Sequence, residues 1–175
     1  MRWDNHYKEV YWRMTLDALP AAARLHGPHA CPCAPAHAAP TDLAHHFWSC
    51  PVAEAVCAEL RGALGGQALL TRAAVWLMAP PPGVHASVWR VVCVAAVVAM
   101  RWGWLSLVGS RRAPLGTDLR VALACRVAAT GFWDLLADYL ERGRPPRGWV
   151  RLPPGHPFFA VVAGGVVVRR PAEFL

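Results

Sequence analysis

The sequence predicts a mainly α domain closed by a short β-hairpin, and three observations carry that expectation. Apolar residues recur at helical spacing in several long segments of the 175 residues. A stretch rich in Pro, Cys and His, His26 to Pro40, interrupts them without any periodicity, so it reads as a loop that needs something other than an apolar core to order it. Near the end, Gly164-Gly165 lies between two short apolar runs, the signature of a two-residue hairpin. A chain of this length fits one ordinary domain of about 100 to 200 residues. It divides into a helix-loop-helix region (1–66), an apolar bundle region (67–143) and a Pro-rich linker with the hairpin (144–175).

Taken in order, Trp3, Tyr7, Val10, Tyr11, Met14 and Ala18 share one helical face between a cap at Asp4 or Asn5 and a stop at Pro20. Pro51 suits a first helical position, and Val52, Ala55, Val56, Leu60, Ala63 and Leu64 continue a face up to Gly65-Gly66. The run Leu69–Met78 stops at Ala79-Pro80-Pro81-Pro82-Gly83, a rigid turn. From Val84 to Val108 nearly every face is apolar, with Arg90 and Arg101 falling on one line, so a central helix with one wet edge is expected. Thr117 is the expected cap of a last long helix reaching Arg142, with Arg126, Thr130, Asp134, Asp138 and Glu141 on its solvent stripe and an Asp138–Arg142 pair.

Composition narrows the function classes. A hydrophobic share of 55% against 17% charged, with nine Trp, excludes global disorder. All of the 18 basic residues except Lys8 are Arg, and the net charge of +7 favours polyanionic partners, nucleic acid first. The first nine residues are charged and lack a signal-like apolar stretch. The most apolar window, Val91–Met100, is closed by Arg90 and Arg101 and falls short of the roughly 20 residues a membrane span needs, so no membrane partner is expected. Cysteines without an export signal predict a reducing compartment, nucleus or cytoplasm. The serines, Ser49, Ser87, Ser106 and Ser110, include none in a Gly-x-Ser-x-Gly setting, and no glycine-rich phosphate loop is present. Catalysis is not expected of this chain.

Cys31-Pro32-Cys33 and His45-His46-Phe47-Trp48-Ser49-Cys50 bring three thiols and an imidazole into twenty residues, enough for one tetrahedral zinc. A closed shell of four protein ligands makes such a metal structural. Cys50, just ahead of Pro51, sits at a helix start, where the dipole favours the thiolate. His46, His37 and Cys57 compete with His45 for the fourth position. Cys57 falls about 10 Å along the helix from Cys50, too far to share an ion, and with Cys93 and Cys125 it reads as a core thiol.

The run Thr41-Asp42-Leu43-Ala44-His45-His46-Phe47-Trp48-Ser49-Cys50-Pro51-Val52-Ala53-Glu54-Ala55-Val56, preceded by a Cys pair, resembles the zinc-binding region carboxy-terminal to reverse transcriptase in non-LTR (LINE-type) retrotransposons. The segments Tyr11-Trp12-Arg13-Met14 and Leu19–His26 resemble that family's tryptophan-bearing helix and its turn into the zinc loop. The resemblance spans about residues 7–60. It departs from the family in its Cys-x-Cys pair, usually Cys-x-x-Cys, and in Cys57, where Trp is common.

This likeness implies Cys31, Cys33, His45 and Cys50 as structural Zn(2+) ligands; with the patterns above, the expected fold is a zinc-stabilised helical domain with a short C-terminal β-hairpin. It implies RNA or DNA as a partner, bound weakly and salt-dependently, beside a reverse transcriptase domain of the parent protein. Polymerase chemistry would belong to an upstream domain, since no two adjacent acids that could hold its metals occur in this chain. The residues expected to touch nucleic acid are Arg24, His29, Trp48, Arg111 and Arg112. The competing expectation is a zinc-stabilised helical protein-interaction domain that binds no nucleic acid.

Overall fold

The computed structural model describes residues 3–19, 31–33, 42–66, 70–143 and 145–172. The fold is mainly α with a short antiparallel hairpin at its end. Helix α1 (Asn5–Thr15) is capped by Asp4, whose side chain accepts from the His6 amide. It is shorter than the expected Trp3–Leu19: Leu16 already closes it and Asp17 turns to a φ of 52°. After a π-helical turn (His45–Ser49), α2 (Pro51–Ala63) begins with Pro51 in its first turn and ends ahead of Gly65 and Gly66, both at positive φ. The short α3 (Arg72–Trp76) is capped by Thr71, whose hydroxyl accepts from the Ala74 amide.

The centre is α4 (Ala86–Gly109), buried without interruption from Val91 to Met100. It packs along α5 (Thr117–Arg142), and α2 lies across both. The three helices meet at Gly103. A Cβ there would stand 2.6 Å from Val52 Cγ1, 2.7 Å from Ala128 Cβ and 2.8 Å from the Ala124 carbonyl oxygen, so only glycine lets α2 and α5 approach α4 this closely.

Tryptophans tie the elements together with indole N–H donors at their polar ends. Trp3 donates to Asp138 (3.1 Å), Trp89 to the Ala74 carbonyl (2.9 Å), Trp133 to Glu59 (2.8 Å) and Trp149, in the 3₁₀ turn Arg147–Arg151, to Ser87 Oγ (2.9 Å). The expected Asp138–Arg142 pair forms at 2.8 Å.

Two expectations need correcting. Gly116, not Thr117, is the N-cap of α5, while the Thr117 hydroxyl accepts from Arg120 instead. The hairpin turn is Ala163-Gly164, because both of these residues take positive φ (48° and 79°), as the mirror-image turn requires. Gly165 belongs to β2 (Gly165–Val168) and pairs with Val162 of β1 (Phe159–Val162). Among the described residues one helix, Ala86–Arg112, is long and apolar enough to cross a membrane, although 72% of its most apolar window is buried inside the protein. This is the central helix expected over Val84–Val108, and its burial is that of a core helix.

Candidate metal centre

Cys31 and Cys33 come from one short loop, His45 opens the π-helical turn, and Cys50 is the residue at which α2 begins. Their ligand atoms, three Sγ and one imidazole nitrogen, all lie within 4.8 Å of one another. Cys31 Sγ is 3.9 Å from Cys50 Sγ, and Cys33 Sγ is 3.5 Å from His45 Nε2. Cys31 and Cys50 are buried, whereas Cys33 and His45 keep a partly exposed edge. This group could hold a metal ion.

The backbone explains how residues five apart in sequence reach one point. In an α-helix, positions 45 and 50 would point about 140° apart at 100° per residue. Here the Cys50 amide donates to the His45 carbonyl at 2.8 Å, a bond that skips five residues and closes the wider π turn, which sets both side chains on the same side. Asp42 fixes the entry to this turn. Its Oδ1 accepts from the His45 amide at 2.7 Å, and its carbonyl accepts from the His46 amide at 3.0 Å. Sequence reading missed both the π turn and Asp42; the signal available was an Asp three residues ahead of a helical start.

The cluster is electrostatically crowded. The Cys31 thiol is pulled far below its ordinary range, first by hydrogen bonds from Cys33 and Cys50 that favour its thiolate. Cys33 is pushed up, first by its hydrogen bond to Cys31, and Cys50 is pushed up to about 12 for the same reason. Hydrogen bonds to Cys31 and Cys33 lift His45 to about 10. Three thiols thus share one favoured thiolate, and a bound cation would replace the remaining protons and release them.

His46 points the other way. It is 1% exposed, stacked on Phe47 at 4.3 Å and on Trp104 at 4.4 Å, and neither ring nitrogen has a hydrogen-bond partner among the described residues. Burial, with Arg101 nearby, lowers it to about 3, so it is a neutral core imidazole and not a member of the cluster. Cys57 is likewise buried apart from the cluster, its thiol raised to about 12 by burial. Cys93 and Cys125 bond carbonyls of Ala74 (3.9 Å) and Pro51 (3.5 Å), consistent with packing roles.

Of the residues expected to touch nucleic acid, Arg24 and His29 lie outside the described residues, as does the competing ligand His37. Trp48 is partly exposed beside the cluster. Arg111 and Arg112 are exposed in the 3₁₀ turn Ser110–Arg112 that follows α4. That turn is tied to the start of α5 by Arg120, which donates to the Arg111 carbonyl at 3.4 Å. Pro51 and Val52, next to Cys50, contact Cys125 and Gly103 on the same halves of α5 and α4. The structure therefore brings the metal ligands and the Arg111-Arg112 turn to one end of the helix pair. Arg101, on the wet edge of α4, is half-buried, with its guanidinium 5.1 Å from the centre of the Trp104 ring. Comparison with protein-family models, with curated proteins and with solved structures finds no match.

Proposed function

We propose that this chain is a non-catalytic zinc-binding module that associates with nucleic acid, of the kind that lies carboxy-terminal to reverse transcriptase in non-LTR retrotransposons. The observation that carries the reading is the convergence of Cys31, Cys33, His45 and Cys50. A tetrahedral zinc with bonds of about 2.3 Å to sulfur and 2.0–2.1 Å to nitrogen needs S–S edges near ~3.8 Å and S–N edges near ~3.6 Å. The 3.9 Å and 3.5 Å separations match those edges before any ion is added. Thiolate and imidazole are the donors zinc prefers, and four of them leave no position for a substrate or a reactive water, which supports a structural ion.

RNA or DNA is the partner this reading favours, because the net charge is +7 and Arg111 and Arg112 are exposed at the end of the helix pair that carries the cluster. Trp48 adds a partly exposed indole on which an unpaired base can stack. A closed metal shell supplies no base-specific contact, so binding is weak, electrostatic and tolerant of sequence.

Titration of the zinc-loaded chain with single-stranded RNA at increasing salt tests this. Affinity should fall steeply, with a slope of about 0.7 per neutralised phosphate. Arg111→Glu with Arg112→Glu should flatten that slope without loss of metal. A folded, zinc-loaded chain that binds neither RNA nor DNA at low salt would transfer the role to protein interaction, a reading favoured by the exposure of Leu119, Leu123 and Val127 on α5.

A further inference from the structure

The hairpin is held to the helices at its root. Phe158 and Phe159 are both fully buried. Phe158 sits against Trp89 of α4 (6.2 Å between ring centres) and Phe132 of α5 (6.5 Å), and Phe159 against Trp149 (4.9 Å). Just ahead of them lies His156, 2% exposed, its ring parallel to that of Phe159 at 6.2 Å. Pro157 has no N–H, so the first amides after His156 are those of Phe158 and Phe159, and both donate to its Nδ1 at 3.3 Å. A ring nitrogen that accepts twice carries no hydrogen, which fixes the neutral tautomer with its proton on Nε2. That Nε2 is buried and has no hydrogen-bond partner among the described residues. Burial first, then Arg169 beyond β2 and His85 at the start of α4, lower the pKa of this imidazole from its ordinary value. On the adjoining elements, Asp134 of α5 is already paired with Arg170, and the charged residues of the turn Arg147–Arg151 are arginines. No carboxylate among the described residues pairs with His156.

We propose that His156 is a latch worked by protonation, which keeps the C-terminal hairpin docked on the helices while it is neutral and releases it when it is charged. A proton on Nδ1 turns that atom from acceptor to donor, sets it against two backbone N–H groups and forfeits both bonds at once. The imidazolium is then buried without a partner, beside Arg169. Turning out to water relieves these penalties, and because the two lost bonds belong to Phe158 and Phe159, the root of the hairpin moves with the ring. The helices α2, α4 and α5 meet at Gly103, about 21 Å along α4 from Trp89 at 1.5 Å per residue, so they keep their own contacts when the hairpin leaves. The fold favours the neutral ring, so docking is complete above the ordinary histidine value of about 6.5 and is lost as pH falls below it. Each unit of fall should raise the released population by up to about tenfold, until the docked form itself takes up the proton. Neither the metal ligands nor the Arg111-Arg112 turn takes part, so the inference goes beyond the proposed function and does not rest on it.

NMR of the zinc-loaded chain between about pH 7.5 and about pH 5, a window around the ordinary histidine value, tests the proposal. At neutral pH the imidazole nitrogens of His156 should report a proton on Nε2 and a bare, hydrogen-bonded Nδ1. On acidification the amide signals of residues 159–168 should pass to a released form while those of residues 91–100 hold still, and the titration of the His156 ring should coincide with that change. His156→Asn places a side-chain oxygen where Nδ1 stood and cannot take up a proton, so its hairpin should stay docked across the range. His85→Gln removes the other titrating neighbour and should leave the transition in place. The metal ligands and His46 are common to all three proteins, so the difference between them isolates His156. A wild-type hairpin that stays docked to about pH 5 overturns the proposal, as does a proton found on Nδ1 at neutral pH or a release that does not follow the ring's own titration. A release that His156→Asn retains, that His85→Gln abolishes, or that carries α4 with it overturns it equally.

Discussion

The described residues around the cluster, 31–33 and 42–50, differ from the α4–α5 pair in what is available to order them. In the helix pair, Val91–Met100 is buried on every face and α5 supplies Phe132, Trp133, Leu135 and Leu136, so transfer of apolar area from water contributes most of the ordering. Among the described residues around the cluster, Phe47 is the large buried apolar side chain, and the other buried groups are Cys31, Cys50 and the neutral His46. Thiols in hydrogen-bond contact gain little over solvent. An ion bound by all four donors at once would give that segment what a hydrophobic core gives the helix pair. On the proposed reading the chain would draw order from two sources, joined where His46 stacks on Trp104, and each should fail under a different insult.

The largest expected effect comes from removing the ion. Cys50→Ser should abolish binding of one zinc per chain, measured by metal analysis, and should remove hydrogen-exchange protection around His45–Ser49 while sparing α4 and α5. Structural zinc in small peptides is worth about 10–16 kcal/mol, so the local loss should be complete. If Cys50→Ser retains the metal, or if the helix pair melts together with the cluster, the two-source comparison fails.

Gly103→Ala attacks the helix pair where Val52 joins it to the cluster. The added methyl would have to displace Val52, Ala128 or α5 backbone, at a cost of about 1–3 kcal/mol in thermal unfolding. Metal affinity should stay near wild type if the regions are independent, and a parallel fall in affinity would show that they are coupled through Val52.

The third effect is a pH slope. His46 is held at about 3 in the fold, chiefly by burial, against about 6.5 in the unfolded chain. Its stabilising contribution is therefore full above pH 6.5 and is lost as pH falls from there toward 3. At pH 5 the loss is about 2 kcal/mol. His46→Leu should keep the metal and flatten this part of the stability profile, as read by denaturant titration at several pH values. Because the cluster also takes up protons in this window, the difference between the two proteins is the quantity that decides. A variant that loses zinc would make His46, and not His45, the imidazole ligand.

The helices were legible because their apolar residues recur at a spacing that backbone geometry imposes; α2, α4 and the far end of α5 fall within a few residues of the pattern. The cluster was legible for another reason, that Cys and His in a segment without a core have few alternative uses. What could not be read was any feature set by backbone shape rather than by residue type. The π turn that swings His45 and Cys50 to one side leaves no trace in composition, and neither does the assignment of Ala163, rather than Gly165, to a left-handed turn position. The role of Gly103 likewise follows only from the approach of Val52 and Ala128, which no residue pattern displays.

The bond from Trp3 to Asp138 has a consequence for how the molecule is made. These partners lie 135 positions apart, and a ribosome adding about 5–20 residues per second needs on the order of ten seconds to supply the second after the first. Val91–Met100 is complete 38 residues ahead of Asp138, so for roughly 2 to 8 seconds at the end of that interval it lacks the far part of α5, and α1 has no final seat for Trp3 throughout. The most apolar segment is thus made before the last long helix that covers it, and slower translation through residues 100–138 should lengthen its exposure, an effect to be read as yield of folded protein against translation rate.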